Sequence, residues 1–143
     1  MKLAILIGGL ALAALSCAPQ PQPIEYGSDM CYFCKMSIVD NRHAAQAVTE
    51  KGKNYKFDAI ECLLPFLQAE QGVEYAYLLV NDYEAPGAVL PAGESYYLIS
   101  PAIPSPMGAF LSAFSSQERA EAAQAEHGGT VYDWAGIQQR LSR

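Results

Sequence analysis

The sequence predicts an α+β fold in which two small strand-helix-strand units pack as one compact body. Three observations carry this. First, the chain twice runs through the same order: strand, irregular turn, helix, glycine stop, strand. Second, apolar residues switch between strand-like runs and helical spacing inside each half. Third, 143 residues suffice for one domain, while either half alone is too short to bury a stable core. The units run from about 29 to 84 and from about 85 to 143. Their identity to each other is negligible, so the likeness lies in element order.

The elements follow in turn. His43 to Glu50 reads as a strand with His43 facing solvent. Lys51-Gly52-Lys53-Asn54 is a turn, because Gly and Asn tolerate positive φ. Tyr55-Lys56-Phe57 is the returning strand, and Asp58 is placed as the N-cap of a helix. Ile60, Leu63, Leu64 and Leu67 form its apolar face. Pro65 conflicts with a helix interior and predicts a kink or a later start. Gln71-Gly72 ends the helix, and Glu74 to Val80 follows as a buried strand. Pro86, Gly87, Pro91 and Gly93 mark an irregular stretch. Ser95 to Ile99 is a strand, and Pro101 to Met107 is irregular. Ser115 or Ser116 caps a helix from Gln117 to Glu126. His127-Gly128-Gly129 stops it, and His127 suits the negative end of the helix dipole. Thr130 to Trp134 is a strand, and Ala135 to Leu141 a short terminal helix.

Residues 1–28 lie outside this body. After Met1-Lys2, Leu3 to Leu15 is uninterruptedly apolar. A membrane span needs about 20 such residues. A signal-peptide core needs only about 7–15. Ala14-Leu15-Ser16-Cys17 resembles a bacterial lipobox, so residues 1–16 are expected to be cleaved and Cys17 acylated. Ala18 to Pro23 alternates proline with glutamine and favours extended polyproline II, a tether over residues 17–28. Ala18 in place of Asp after Cys17 suggests the outer membrane, with the protein on its periplasmic side. The net charge of −6 argues against nucleic acid as partner and against an anionic membrane surface. Attachment is therefore expected through the lipid.

With Cys17 lipidated, Cys31, Cys34 and Cys62 remain. An odd number in an oxidising compartment leaves a thiol unpaired, so a purely structural disulfide framework is incomplete. The cluster Asp29-Met30-Cys31-Tyr32-Phe33-Cys34-Lys35-Met36 brings a C-x-x-C pair beside a methionine. Thiolate and thioether are soft donors and together select Cu(I) over harder cations. A further methionine, Met107, stands between Pro106 and Gly108 in a rigid loop where a core role is unnatural. Cys34, Met107, Cys31, Met36 and Asp29 are the candidate ligands. The bland alternatives differ by residue. Met30 is expected in the core. Met36 is balanced between core and ligand. Asp29 is otherwise a turn residue. Cys62, on an apolar helix, is expected as a small buried hydrophobe. The rival chemistry is a structural zinc site built from Cys31, Cys34, Cys62 and His127. Haem attachment would need His after the second Cys, where Lys35 stands. No G-x-S-x-G, H-E-x-x-H or phosphate-cradling glycine loop is present, so an enzyme is not expected.

Taken in order, several motifs resemble the NosL family of copper lipoproteins. They are the lipobox Cys17, C-x-x-C-x-M, Tyr55-Lys56-Phe57-Asp58 with Cys62, Pro106-Met107-Gly108-Ala109, and Ser116-Gln117-Glu118-Arg119-Ala120 leading to His127-Gly128-Gly129. The resemblance implies a Cu(I) carrier accessory to nitrous-oxide reductase, working with an ABC-transporter complex to supply the reductase's copper–sulfur centre. It implies a fold of two related α+β units similar to the mercury-lyase N-terminal domain. It also implies that Cys34 matches the Cys of the family's Cys-Gly-Met segment, Met36 its Met, and Met107 the Met of the later Met-Gly. Lys35 stands where that segment has Gly, which bears on the local backbone.

Overall fold

Two antiparallel sheets carry the fold in the computed structural model, which describes residues 18–142. The expected signal peptide and Cys17 lie outside these residues. The first sheet has the order β2-β1-β3-β4, from β1 (Ala45–Thr49), β2 (Asn54–Phe57), β3 (Tyr75–Asn81) and β4 (Val89–Pro91). The second has the order β6-β5-β7, from β5 (Tyr96–Ile99), β6 (Leu111–Phe114) and β7 (Thr130–Tyr132). Helix α1 (Ile60–Ala69) follows β2, α2 (Gln117–His127) follows β6, and α3 (Trp134–Leu141) follows β7. The α+β class is as expected. Among the described residues no helix is long and apolar enough to cross a membrane.

Strands β4 and β6 were not expected. Both are short, and β4 ends on Pro91, which an edge strand tolerates because its missing N–H faces no neighbour. Strand β3 is buried only from Leu79 to Asn81, not along its whole length. Helix α1 continues through Pro65, whose ring leaves only the Glu61 carbonyl without its partner one turn on. Asp58 is not its N-cap. Ala59 holds that position without a side-chain bond, and the Asp58 carboxylate is drawn instead to cysteine thiols. The other helices are capped as their sequences suggest. Ser116 accepts from the Arg119 N–H at 3.2 Å, and Asp133 accepts from the Gly136 N–H at 2.7 Å. At the end of α2, Gly129 is obligatory: a Cβ there would lie 2.1 Å from the Ile99 carbonyl oxygen.

One core joins the sheets. Ala45, Phe57 and Val80 of the first sheet meet Tyr97, Leu111 and Ala113 of the second, with Ile60 and Leu63 of α1 and Ile137 of α3 between them. Alternation along β5 sends Tyr97 into this core and Leu98 the other way, onto Phe114, Ala120 and Ala123 under α2. The Tyr97 hydroxyl donates to the Ala92 carbonyl at 2.7 Å, so its burial leaves no orphaned polar group.

His43, expected at the surface, is buried. Its Nδ1 lies 2.9 Å from Asp40 Oδ2 and its Nε2 3.1 Å from Ser112 Oγ on β6. The Asp–His–Ser order resembles a hydrolytic relay, but Ser112 is fully buried and no substrate reaches it. The trio is a polar strut that satisfies an imidazole packed between the sheets. The proline-rich stretch is partly fastened to the domain. The Gln20 and Gln22 carbonyls accept from the Asn54 and Gln46 side chains, and the Pro23 carbonyl accepts from Lys56 Nζ.

Candidate metal centre

The chain reverses over residues 27–38 and places the C-x-x-C pair at the turn. The ladder is closed by Gly27 N–H to Ile38 O, Ile38 N–H to Asp29 O, and Cys31 N–H to Met36 O, each 2.8–2.9 Å. Tyr32 N–H bonds to the Lys56 carbonyl of β2 at 2.8 Å, which fixes the turn against the first sheet. The Tyr32 ring meets Tyr55 and Phe66 edge-on at 4.7 and 5.5 Å. Lys35 takes φ +64°, the left-handed conformation a Gly would adopt without cost. Its ammonium lies 4.5 Å over the Tyr32 ring and also donates to the Tyr32 carbonyl. These contacts offset the strain that a side chain meets in this region.

Cys31 points inward from the turn and is fully buried, whereas Cys34 is half-buried. Helix α1 supplies the other half. Cys62, in its first turn, is buried beside Cys31, and Asp58 just precedes the helix. The three sulfurs and an Asp58 oxygen all lie within 4.8 Å of one another. The thiols of Cys34 and Cys62 both point at Asp58 Oδ1, at 3.4 and 3.3 Å. All three thiols are free.

The electrostatics differ within the cluster. The Cys62 thiol, with backbone N–H groups of Cys34, Asp58 and Phe33, draws the Cys31 pKa down from 9.0 to about 6 against the effect of burial. The shift favours the thiolate, the form that binds metals. Burial raises the Cys34 pKa, and neighbouring Cys31 and Asp58 add to this. Cys62 is raised strongly, first by Cys31 and then by burial.

The remaining candidates lie outside this knot. Asp29 is held by Lys56 Nζ at 2.6 Å and accepts the Glu25 N–H at 2.8 Å; Lys56 keeps its carboxyl below the usual range. Met36 is 57% exposed, so it fills no core. Met30, expected in the core, is 60% exposed. Its neighbours explain this: the Met30–Ser37 bridge turns Cys31 inward and leaves the adjacent side chain outside.

Met107 is 42% exposed at the tip of a β-turn closed by Gly108 N–H to Ser105 O at 3.0 Å. Pro106 fills the second turn position, which its fixed φ suits. Ser105 Oγ accepts from the N–H groups of Phe110 and Leu111 at 2.9 and 3.4 Å and donates to Glu61 Oε1. Glu61 adjoins Cys62, so the Met107 turn is tied to the same helical turn that carries the buried thiol. Burial raises the Glu61 pKa. His127 ends α2 as expected and is not part of the cluster; its Nε2 lies 3.7 Å from Glu126. The oxygen donor beside the thiols is Asp58, which the helix-cap pattern concealed.

Three thiols with one carboxylate form a donor set for a soft or borderline cation. Relatives sharpen this. Residues 23–142 match the NosL family. The copper-binding lipoprotein NosL of Stutzerimonas stutzeri is 32% identical over 129 residues, 84% of this chain and 68% of that protein. The crystal structure of the copper chaperone NosL from Shewanella denitrificans superimposes with a TM-score of 0.72 at 24% identity, covering 85% of this chain and 97% of that one, a likeness of fold. On the extent of the family match and the identity to the Stutzerimonas protein, the chain belongs to the NosL family.

Proposed function

We propose that the protein is a periplasmic, lipid-anchored Cu(I) carrier and not an enzyme. It would hand copper to a client, nitrous-oxide reductase, with an ABC-transporter complex as assembly partner. The observation that carries this reading is the convergence of three free thiols, and the exposure of Met36 and Met107 supports it. Soft sulfur donors suit Cu(I), and neither Met36 nor Met107 is spent on packing. Cys34 and Met107 are the main ligands, since both reach solvent and both can exchange with a partner. Cys31 stands behind Cys34. Met36 and Asp29 are candidates to complete the shell, with Asp29 first having to leave Lys56. Cys17 carries the lipid. Its change to Ser should move the protein from the membrane to the soluble periplasmic fraction.

One observation favours a second reading. Three thiolates and a carboxylate also make a complete tetrahedral zinc set, as in a structural module that holds a partner at the membrane. An anaerobic titration of the reduced protein separates the two. A carrier should take up about one Cu(I) in competition with a chelator, and zinc should displace it poorly. A melting temperature raised by zinc alone, with no Cu(I) retained, would establish the structural module.

A further inference from the structure

We propose that Cys62 is itself a copper ligand. The ion would rest on a floor of three thiolates, Cys31, Cys34 and Cys62, with Met107 closing the solvent side. This rests on the Cu(I) reading above and deepens it.

The sequence gives Cys62 an apolar helical position, and burial alone would make it inert. Its surroundings say otherwise. Its sulfur is grouped with those of Cys31 and Cys34 within 4.8 Å, a spread that one cation can span with little movement. Its thiol is directed at Asp58 and not at hydrocarbon. The same Asp58 oxygen receives the Cys34 thiol, so one carboxylate aims two sulfurs, from two different segments, at a common point. Asp58 is itself almost fully buried and makes no helix cap. A buried carboxylate costs free energy unless its partners repay it, and two weak S–H donors repay little. Positioning thiols for a metal accounts for both its place and its unused cap. On loading, Cys34 and Cys62 each give up a thiol proton to solvent as their sulfurs bond to copper, with no change in the oxidation state of sulfur or copper.

The three-thiolate floor also divides the labour of the site. Cys31 and Cys62 are buried and keep the ion. Cys34 and Met107 are accessible and release it. Ligand exchange with a client would begin on the exposed side while the buried pair still holds copper.

The test needs variants on both sides of the ion. Cu(I) affinity against a chelator is measured for wild type, Cys62→Ser and Cys62→Ala, with thermal melts of the copper-free proteins. Both variants should lose at least about 30-fold in affinity. Because a small core loss can also lower stability, X-ray absorption is added on a protein in which Cys62 is intact. In a Met36→Leu, Met107→Ile double variant, which removes both candidate thioethers, the copper should retain three sulfur neighbours if Cys62 ligates. Two neighbours in that double variant, or wild-type affinity in either Cys62 variant, would overturn the inference. Failure of the wild type to bind Cu(I) at all would instead overturn the reading on which it rests.

Discussion

The thiol cluster and the Met107 turn, the two walls of the proposed site, are built in opposite ways. On one side the thiols are packed into the hydrophobic core between the C-x-x-C turn and helix α1, and their polarity is answered by one another and by Asp58. On the other, Met107 stands in solvent on a turn whose backbone is fixed by a single serine. A buried thiol wall gives strength, because desolvated anionic donors hold a cation closely. An exposed thioether gives exchange, because an uncharged donor at the surface is released at small cost. On the proposed reading a carrier needs both, and the chain puts the thiols on the C-x-x-C turn and α1 and the thioether on the turn between β5 and β6.

Changes on the thiol wall should have the largest effect. Cys34→Ser removes the thiolate nearest the opening and should weaken Cu(I) binding by at least about 100-fold, or about 2.7 kcal/mol, in chelator competition. A smaller loss would mean that Cys31 and Cys62 hold the ion without it, and the division between walls would then fall between the two sides of the C-x-x-C pair.

Ser105→Ala probes how the second wall is positioned. It strips three hydrogen bonds from the Met107 turn, one of them the hydroxyl bond to the Glu61 carboxyl. Stability should fall by about 1–3 kcal/mol by denaturant melt. Copper affinity should fall too, and combining the change with Met107→Ile should add nothing further to the affinity loss, since both act through one thioether. Additive losses would place Ser105 on the thiol wall instead.

Lys35→Gly should have the smallest effect. It relieves a left-handed backbone by about 1 kcal/mol but removes the contacts to Tyr32 and loosens the unfolded chain. The net change in stability should stay within about 1 kcal/mol, and copper affinity should be unaltered. A marked loss of affinity would show that the lysine shapes the turn in a way glycine does not.

Much of this was legible in the chain. Hairpin β1–β2, all three helices and the pairing of Cys31 with Cys34 follow from local spacing and caps. What was hidden depends on contacts distant in sequence. Cys62 reads as core because helical periodicity records only that it faces inward, not that Cys31 waits there. Asp58 reads as a cap because a carboxylate before a helix usually is one. His43 reads as exposed because it stands at a strand start, while Ser112, which meets it in the interior, is far away in sequence. Strands β4 and β6 are too short to show a period, and only their partners make them strands.

The claim that copper bridges the two walls is tested most directly at Met107. Met107→Ile nearly conserves volume at an exposed turn, so the melting temperature of the copper-free protein should not change. Its Cu(I) affinity, measured against a chelator, should fall about 10-fold, or about 1.4 kcal/mol. Wild-type affinity in this variant would contradict the account and confine the metal to the thiol wall alone.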